Sequence, residues 1–160
     1  MRTITGFTLV ELMITLVIAG FVLLIGMPSF AKYRSSLLLR QANAQLMQDV
    51  RRARQLAVTR RAPVFIRFGA PPITANITSY LIHVDTNGDG IAQSTELRLN
   101  RSLPTGTKLD AVSLAPTDSL AFDISGILRP GTQGGMLAFS NNRNRRDTLI
   151  VSAAGICYRP

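Results

Sequence analysis

The chain has 160 residues, enough for one domain with an appended segment, and carries 18 Lys+Arg against 9 Asp+Glu, a formal charge of +9. Lys32 and Lys108 are the only lysines, so the excess is almost all arginine; it suits an anionic partner but says nothing of the fold. A single cysteine, Cys157, excludes an intramolecular disulfide, and a single histidine, His83, with no Cys/His cluster argues against a structural zinc site.

The first predicted element is apolar. Residues 7–27 read FTLVELMITLVIAGFVLLIGM, with Glu11 as the only charge. As a helix this run is about 32 Å long, enough to cross a hydrocarbon core of ~30 Å. Arg2 precedes it and Lys32 and Arg34 follow, so flanking charge sets no orientation. A cleavable secretory signal is the competing reading, with Ser29 to Ala31 as a small-x-small site. Against it, the run exceeds the ~7–15 residues of a signal core, contains a carboxylate, and has one arginine before it. A charge near the centre of a membrane helix costs about 2.5–3.5 kcal/mol, so Glu11 calls for a partner.

Pro28 lacks an N–H and clashes with the preceding turn, which predicts a kink. No Gly or Pro follows until Pro63, and Leu39, Ala42, Leu46, Val50, Ala53 and Ala57 step by three or four residues. That spacing predicts an amphipathic helix to about residue 61, laid against the rest of the chain along this stripe. Arg40, Arg51, Arg52 and Arg54 mostly fall off the stripe, as a solvated face; a nucleic-acid helix is the weaker alternative.

Residues 62–160 change texture to short β-rich runs punctuated by Gly, Pro, Asn and Asp. Strands are predicted at 64–68, 79–84, 96–103, 109–114, 119–124, 136–139 and 148–153. Several alternate in polarity, as half-buried antiparallel strands do. The fold class is α+β: a long N-terminal helix packed on a small antiparallel sheet or sandwich.

Three features invite a chemical reading. In the hairpin "DTNGDGIAQSTE", Asp85, Asn87, Asp89, Gly90 and Glu96 fall at positions 1, 3, 5, 6 and 12 of a calcium-loop spacing. The same residues also make a long metal-free turn, and both readings stand. The segment after the sixth predicted strand carries Arg143, Arg145 and Arg146, with Arg159 near the end of the chain; such a cluster suits phosphate contacts that weaken with salt. No nucleophile pairs with His83 at a recognisable spacing, and "GTQGG" lacks the Lys-Ser/Thr of a phosphate loop, so no enzyme is expected.

The string Gly6-Phe7-Thr8-Leu9-Val10-Glu11-Leu12 resembles the processing site of type IV prepilins and pseudopilins. "ARQLAVTRRAPV" resembles the end of the long helix and first head strand in their GspH/FimT branch. The resemblance implies a leader over 1–6, cleavage between Gly6 and Phe7 by a prepilin peptidase, and N-methylation of Phe7. It also implies a transmembrane and filament-core helix over 7–28 with a bending Pro28, an amphipathic helix over 29–61 and a globular head over 62–160. Glu11 would pair with the amino terminus of a neighbouring subunit, and the protein would be a non-enzymatic minor pilin or pseudopilin. Its partners would be other pilin subunits, the peptidase and the inner membrane, with a single pass and the head in the periplasm. The alternative it raises is a DNA-binding minor pilin of a DNA-uptake pilus. Some such pilins carry Gly-Arg-x-Arg near the C-terminus, where this chain reads Gly155-Ile156-Cys157-Tyr158-Arg159.

Overall fold

The computed structural model describes residues 6–69, 76–114, 119–132 and 134–160, and of residues 25–29 only the backbone. One helix, α1 (Leu9–Arg60), dominates the N-terminal half. Thr8 caps its start: the Glu11 backbone N–H donates to Thr8 Oγ1 at 3.2 Å, the spacing of a capping box. Its end is fixed by Arg61, whose φ of 50° is left-handed, and by Pro63, which cannot continue a helix. α1 runs through position 28; the Pro28 ring, on which the expected kink depends, lies outside the described side chains.

The chain forms two compact units, Met1–Arg34 and Ser35–Pro160. In the first, every described side chain from Gly6 to Leu24 is exposed. Among the described residues no helix is long and apolar enough to cross a membrane, so the span expected over 7–28 is not found there.

The second unit holds the rest of α1 and eight strands among the described residues: β1 (Val64–Arg67), β2 (Ser79–Val84), β3 (Arg98–Ser102), β4 (Thr107–Leu114), β5 (Ser119–Phe122), β6 (Gly135–Asn141), β7 (Arg146–Val151) and β8 (Cys157–Tyr158). All seven predicted strands occur, β2 with the predicted ends and the others with ends shifted by at most two residues; β8 is additional among the described residues. They make two four-stranded sheets, ordered β3-β2-β1-β5 and β4-β6-β7-β8, with every pairing antiparallel.

Register decides which face is buried. Ile66 lies between Ile82 and Leu120 in the first sheet, and Leu137 between Val112 and Leu149 in the second. These apolar rows join the helix stripe in one core, where Ala42, Leu46, Ala53 and Ala57 are fully buried. The alanines present little bulk to the head, while burial of Leu46 contributes roughly 1.5–3 kcal/mol. Loops close over the core where glycine is required. At Gly155, with φ +73°, a Cβ would stand 2.8 Å from a ring carbon of Phe122.

Candidate functional site

The N-terminal junction is built for access. Gly6, Phe7 and Thr8 lie outside the helix and are exposed, and nothing stands within 4 Å of the place a Cβ would occupy on Gly6. The Gly6–Phe7 bond thus lies in exposed backbone outside the helix. Glu11 falls in the first turn of α1, where a carboxylate is favoured by the helix dipole. Beyond it stands a sleeve of large exposed side chains, with Leu9 and Leu24 each at 74% exposure. So much contiguous apolar surface has no solvation rationale and marks a membrane or subunit contact.

On the head, α1 is tied to the first sheet by a polar clamp that the hydrophobic pattern did not disclose. Asp49 is buried in the helix stripe, one residue before Val50. Tyr80 Oη donates to Asp49 Oδ2 at 2.6 Å, and Arg101 Nη2 stands 3.2 Å from Asp49 Oδ1. Gln45 Nε2 donates to the Ser102 carbonyl at 2.9 Å. Burial, then the hydrogen bond to Asp49, pushes the Tyr80 phenol far above its ordinary range. The sequence signal was a lone carboxylate on an otherwise apolar stripe.

The 85–96 loop turns its carboxylates inward onto its own backbone. Asp85 accepts the N–H groups of Gly88 at 2.8 Å and Gly90 at 2.9 Å, and Asp89 accepts that of Ile91 at 2.7 Å. Glu96 accepts from Thr86 N–H at 2.9 Å and Gln93 N–H at 3.1 Å, and Asn87 donates its side-chain amide to Asp89. The Gln93 N–H bond leads the interactions that hold the Glu96 carboxyl below its usual range. Among the described residues, no group of three or more His, Cys, Asp or Glu is arranged to hold a metal ion. The four oxygen-bearing side chains of the calcium spacing, those of Asp85, Asn87, Asp89 and Glu96, thus bond within their own loop.

His83, on β2, is fully buried and stacked on Phe65 with ring centroids 5.1 Å apart. Neither ring nitrogen has a hydrogen-bond partner among the described residues. Burial, then the Arg67 charge, lowers its pKa, so the neutral ring is favoured. Arg67 also donates to the Gly90 carbonyl, pinning the loop to β1. Cys157 is half-buried and its thiol is pushed up to about 11 by burial, which argues against use as a nucleophile.

The arginines of the C-terminal half divide. The loop that carries them is held by Asn141, whose Oδ1 accepts the N–H groups of Arg143 and Arg145, each at 3.0 Å. Arg145 Nη1 donates to Ser36 Oγ at 2.9 Å, and Arg159 Nε pairs with Asp147 Oδ1 at 2.9 Å. Arg145, Arg146 and Arg159 line one groove with Arg40 of α1, a member the linear sequence did not suggest; Arg143 is not among its lining residues.

A capped helix, an exposed junction before an apolar sleeve, and a two-sheet head on the amphipathic half define a pilin-like subunit. The family model described as "Type II transport protein GspH" matches residues 42–155, and "Prokaryotic N-terminal methylation motif" matches residues 1–27. The chain belongs to the GspH family and is a pilus or pseudopilus subunit. Among solved structures it is similar to the type IV minor pilin FimU of Pseudomonas aeruginosa, with TM-score 0.55, 17% identity, and coverage of 76% of this chain and 87% of that one. It is also similar to the minor pseudopilin EpsH of Vibrio cholerae, with TM-score 0.52, 13% identity, and coverage of 76% and 95%. No curated protein matches it significantly.

Proposed function

We propose that the chain is a minor pilin or pseudopilin that is cut between Gly6 and Phe7, N-methylated on Phe7, and held in the inner membrane by α1 before it joins a filament. The head then lies in the periplasm, and the role is structural rather than catalytic. The observation that carries this reading is the exposed Gly6–Phe7 junction immediately before a helix whose side chains are exposed and almost all apolar through Leu24. The methylation-motif match over residues 1–27 supports it.

Cleavage ahead of the helix leaves the apolar run on the product, where it serves first as an anchor and then as filament core. In that core Glu11 pairs with the new amino terminus of a neighbour, turning an expensive lone charge into an ion pair. Loss of one partner from such a buried pair leaves the other uncompensated, a loss of ~3–5 kcal/mol. Mass spectrometry of the mature protein tests the reading, with a chain starting at N-methylated Phe7 expected. A chain starting at Lys32, the product of cleavage after Ala31, or one retaining Met1, overturns it.

A further inference from the structure

Four guanidinium groups from three parts of the second unit meet at one groove of about 300 Å³: Arg40 from α1, Arg145 and Arg146 from the start of β7 and the loop before it, and Arg159 from the C-terminus. A single carboxylate, Asp147, lines it with them, and Arg159 is paired to it. Arg146 has only a 3.9 Å approach to Asp110, with a side chain 76% exposed. The groove therefore holds more positive charge than its own residues neutralise. Guanidinium presents a planar fork of N–H donors that matches two oxygens of a phosphate.

We infer that this groove binds the phosphodiester headgroup of an anionic phospholipid. Chain connectivity selects this source of phosphate. Arg40 follows the end of the apolar run at Met27 by thirteen residues of the same chain, so the groove is tethered near the bilayer that the run enters. The polar headgroup layer and the reach of an arginine side chain help to close the gap between that bilayer and the groove. The inference rests on the membrane-anchored reading above. Headgroup binding steadies the subunit at the surface of the bilayer before assembly, and it weakens with salt as exposed charge pairs do.

The test uses the full chain reconstituted into phosphatidylcholine vesicles and into mixed phosphatidylcholine–phosphatidylglycerol vesicles, with amide exchange followed across Asn142–Asp147. Flotation with phosphatidylcholine vesicles is read first. A chain that does not float overturns the anchoring itself, and the inference with it. A chain that floats but exchanges equally fast in both vesicles overturns the headgroup site alone. The expected result is slower exchange in the mixed vesicles. Arg40→Gln and Arg146→Gln are each expected to lower the apparent affinity about fivefold, or ~1 kcal/mol per arginine. Exchange in β1 and β2 reports whether each variant is folded, and Arg40→Lys, which keeps charge but loses the fork, provides a milder second variant with a smaller loss. Inorganic phosphate or a short DNA duplex, added to the phosphatidylcholine sample, is expected to give no protection. Equal protection by phosphate makes this a free-anion site, equal protection by DNA makes it a nucleic-acid site, and either overturns the lipid assignment.

Discussion

The two halves of α1 are both rich in aliphatic side chains, yet they solve opposite problems. From Leu9 to Leu24 the helix carries apolar residues on every side, interrupted by one charge at Glu11, and every side chain is exposed. From Leu39 to Ala57 the apolar residues are confined to one stripe, and that stripe is buried against the chain's own sheets. A helix apolar on one side can be satisfied within its own molecule. One apolar on every side cannot, and has to be covered by lipid or by other helices. The difference between intramolecular and intermolecular burial is thus written in the angular spread of the same residue types.

This contrast can be broken from either end. The largest expected effect is on assembly: Glu11→Ala leaves head stability and membrane insertion unchanged while removing the carboxylate that meets a neighbour's amino terminus. A loss of ~3–5 kcal/mol corresponds to filament incorporation reduced a hundredfold or more, read as the pilin content of sheared filaments. Normal incorporation would show that the carboxylate is merely tolerated.

Truncation within the stripe acts on folding instead. Leu46→Ala is expected to destabilise the head by about 2–5 kcal/mol in chemical denaturation, because the cavity lies in a core closed by both sheets. Leu16→Ala, an equal change on the exposed half, is expected to leave that transition where it was. Comparable losses from both would erase the distinction between the halves.

The clamp sharpens the comparison further, since it belongs only to the second half. Tyr80→Phe removes the 2.6 Å donor to Asp49 and leaves a buried carboxylate oxygen short of a partner. A loss of about 1–3 kcal/mol is expected, and Asp49→Asn together with Tyr80→Phe should lose less than the two single changes combined.

The smallest effect is a pH dependence confined to the head. Burial lowers the pKa of the folded His83 from an ordinary 6.5, with Arg67 and Arg98 also opposing its protonation and Glu96 and Asp85 favouring it. Its contribution to stability is therefore complete above pH 6.5 and lost as pH falls below that value through the folded pKa. Melting temperatures are expected to decline over that interval, and His83→Leu to flatten the decline. A slope that survives His83→Leu would assign it to other groups.

Much of this was legible before any coordinates. Period-3.6 spacing of Leu39 through Ala57 gave the buried face, because a helix repeats its facing positions on that period whatever it packs against. Alternation and turn residues gave seven strands, whereas the two-residue β8 is too short to leave a pattern. The N-terminal methylation motif over residues 1–27 was legible for a different reason: such a motif is made of contiguous residues, and contiguity is what a sequence records.

Other features depend on residues far apart in the chain. Asp49, Tyr80 and Arg101 come together only because β2 and β3 pair side by side against α1. Arg40 joins Arg145, Arg146 and Arg159 only because the chain folds its C-terminal strands back beside the helix, more than a hundred residues later. The 85–96 loop shows the same division. Its oxygen-bearing residues were evident, but their engagement with backbone N–H groups follows from the loop's folded path, which Arg67 pins at the Gly90 carbonyl. Sequence alone determined what each segment would bury or expose, because periodicity is a local property. Which charges share a groove and which carboxylate finds a partner was decided by tertiary structure, because those distances are set by strand pairing and helix docking.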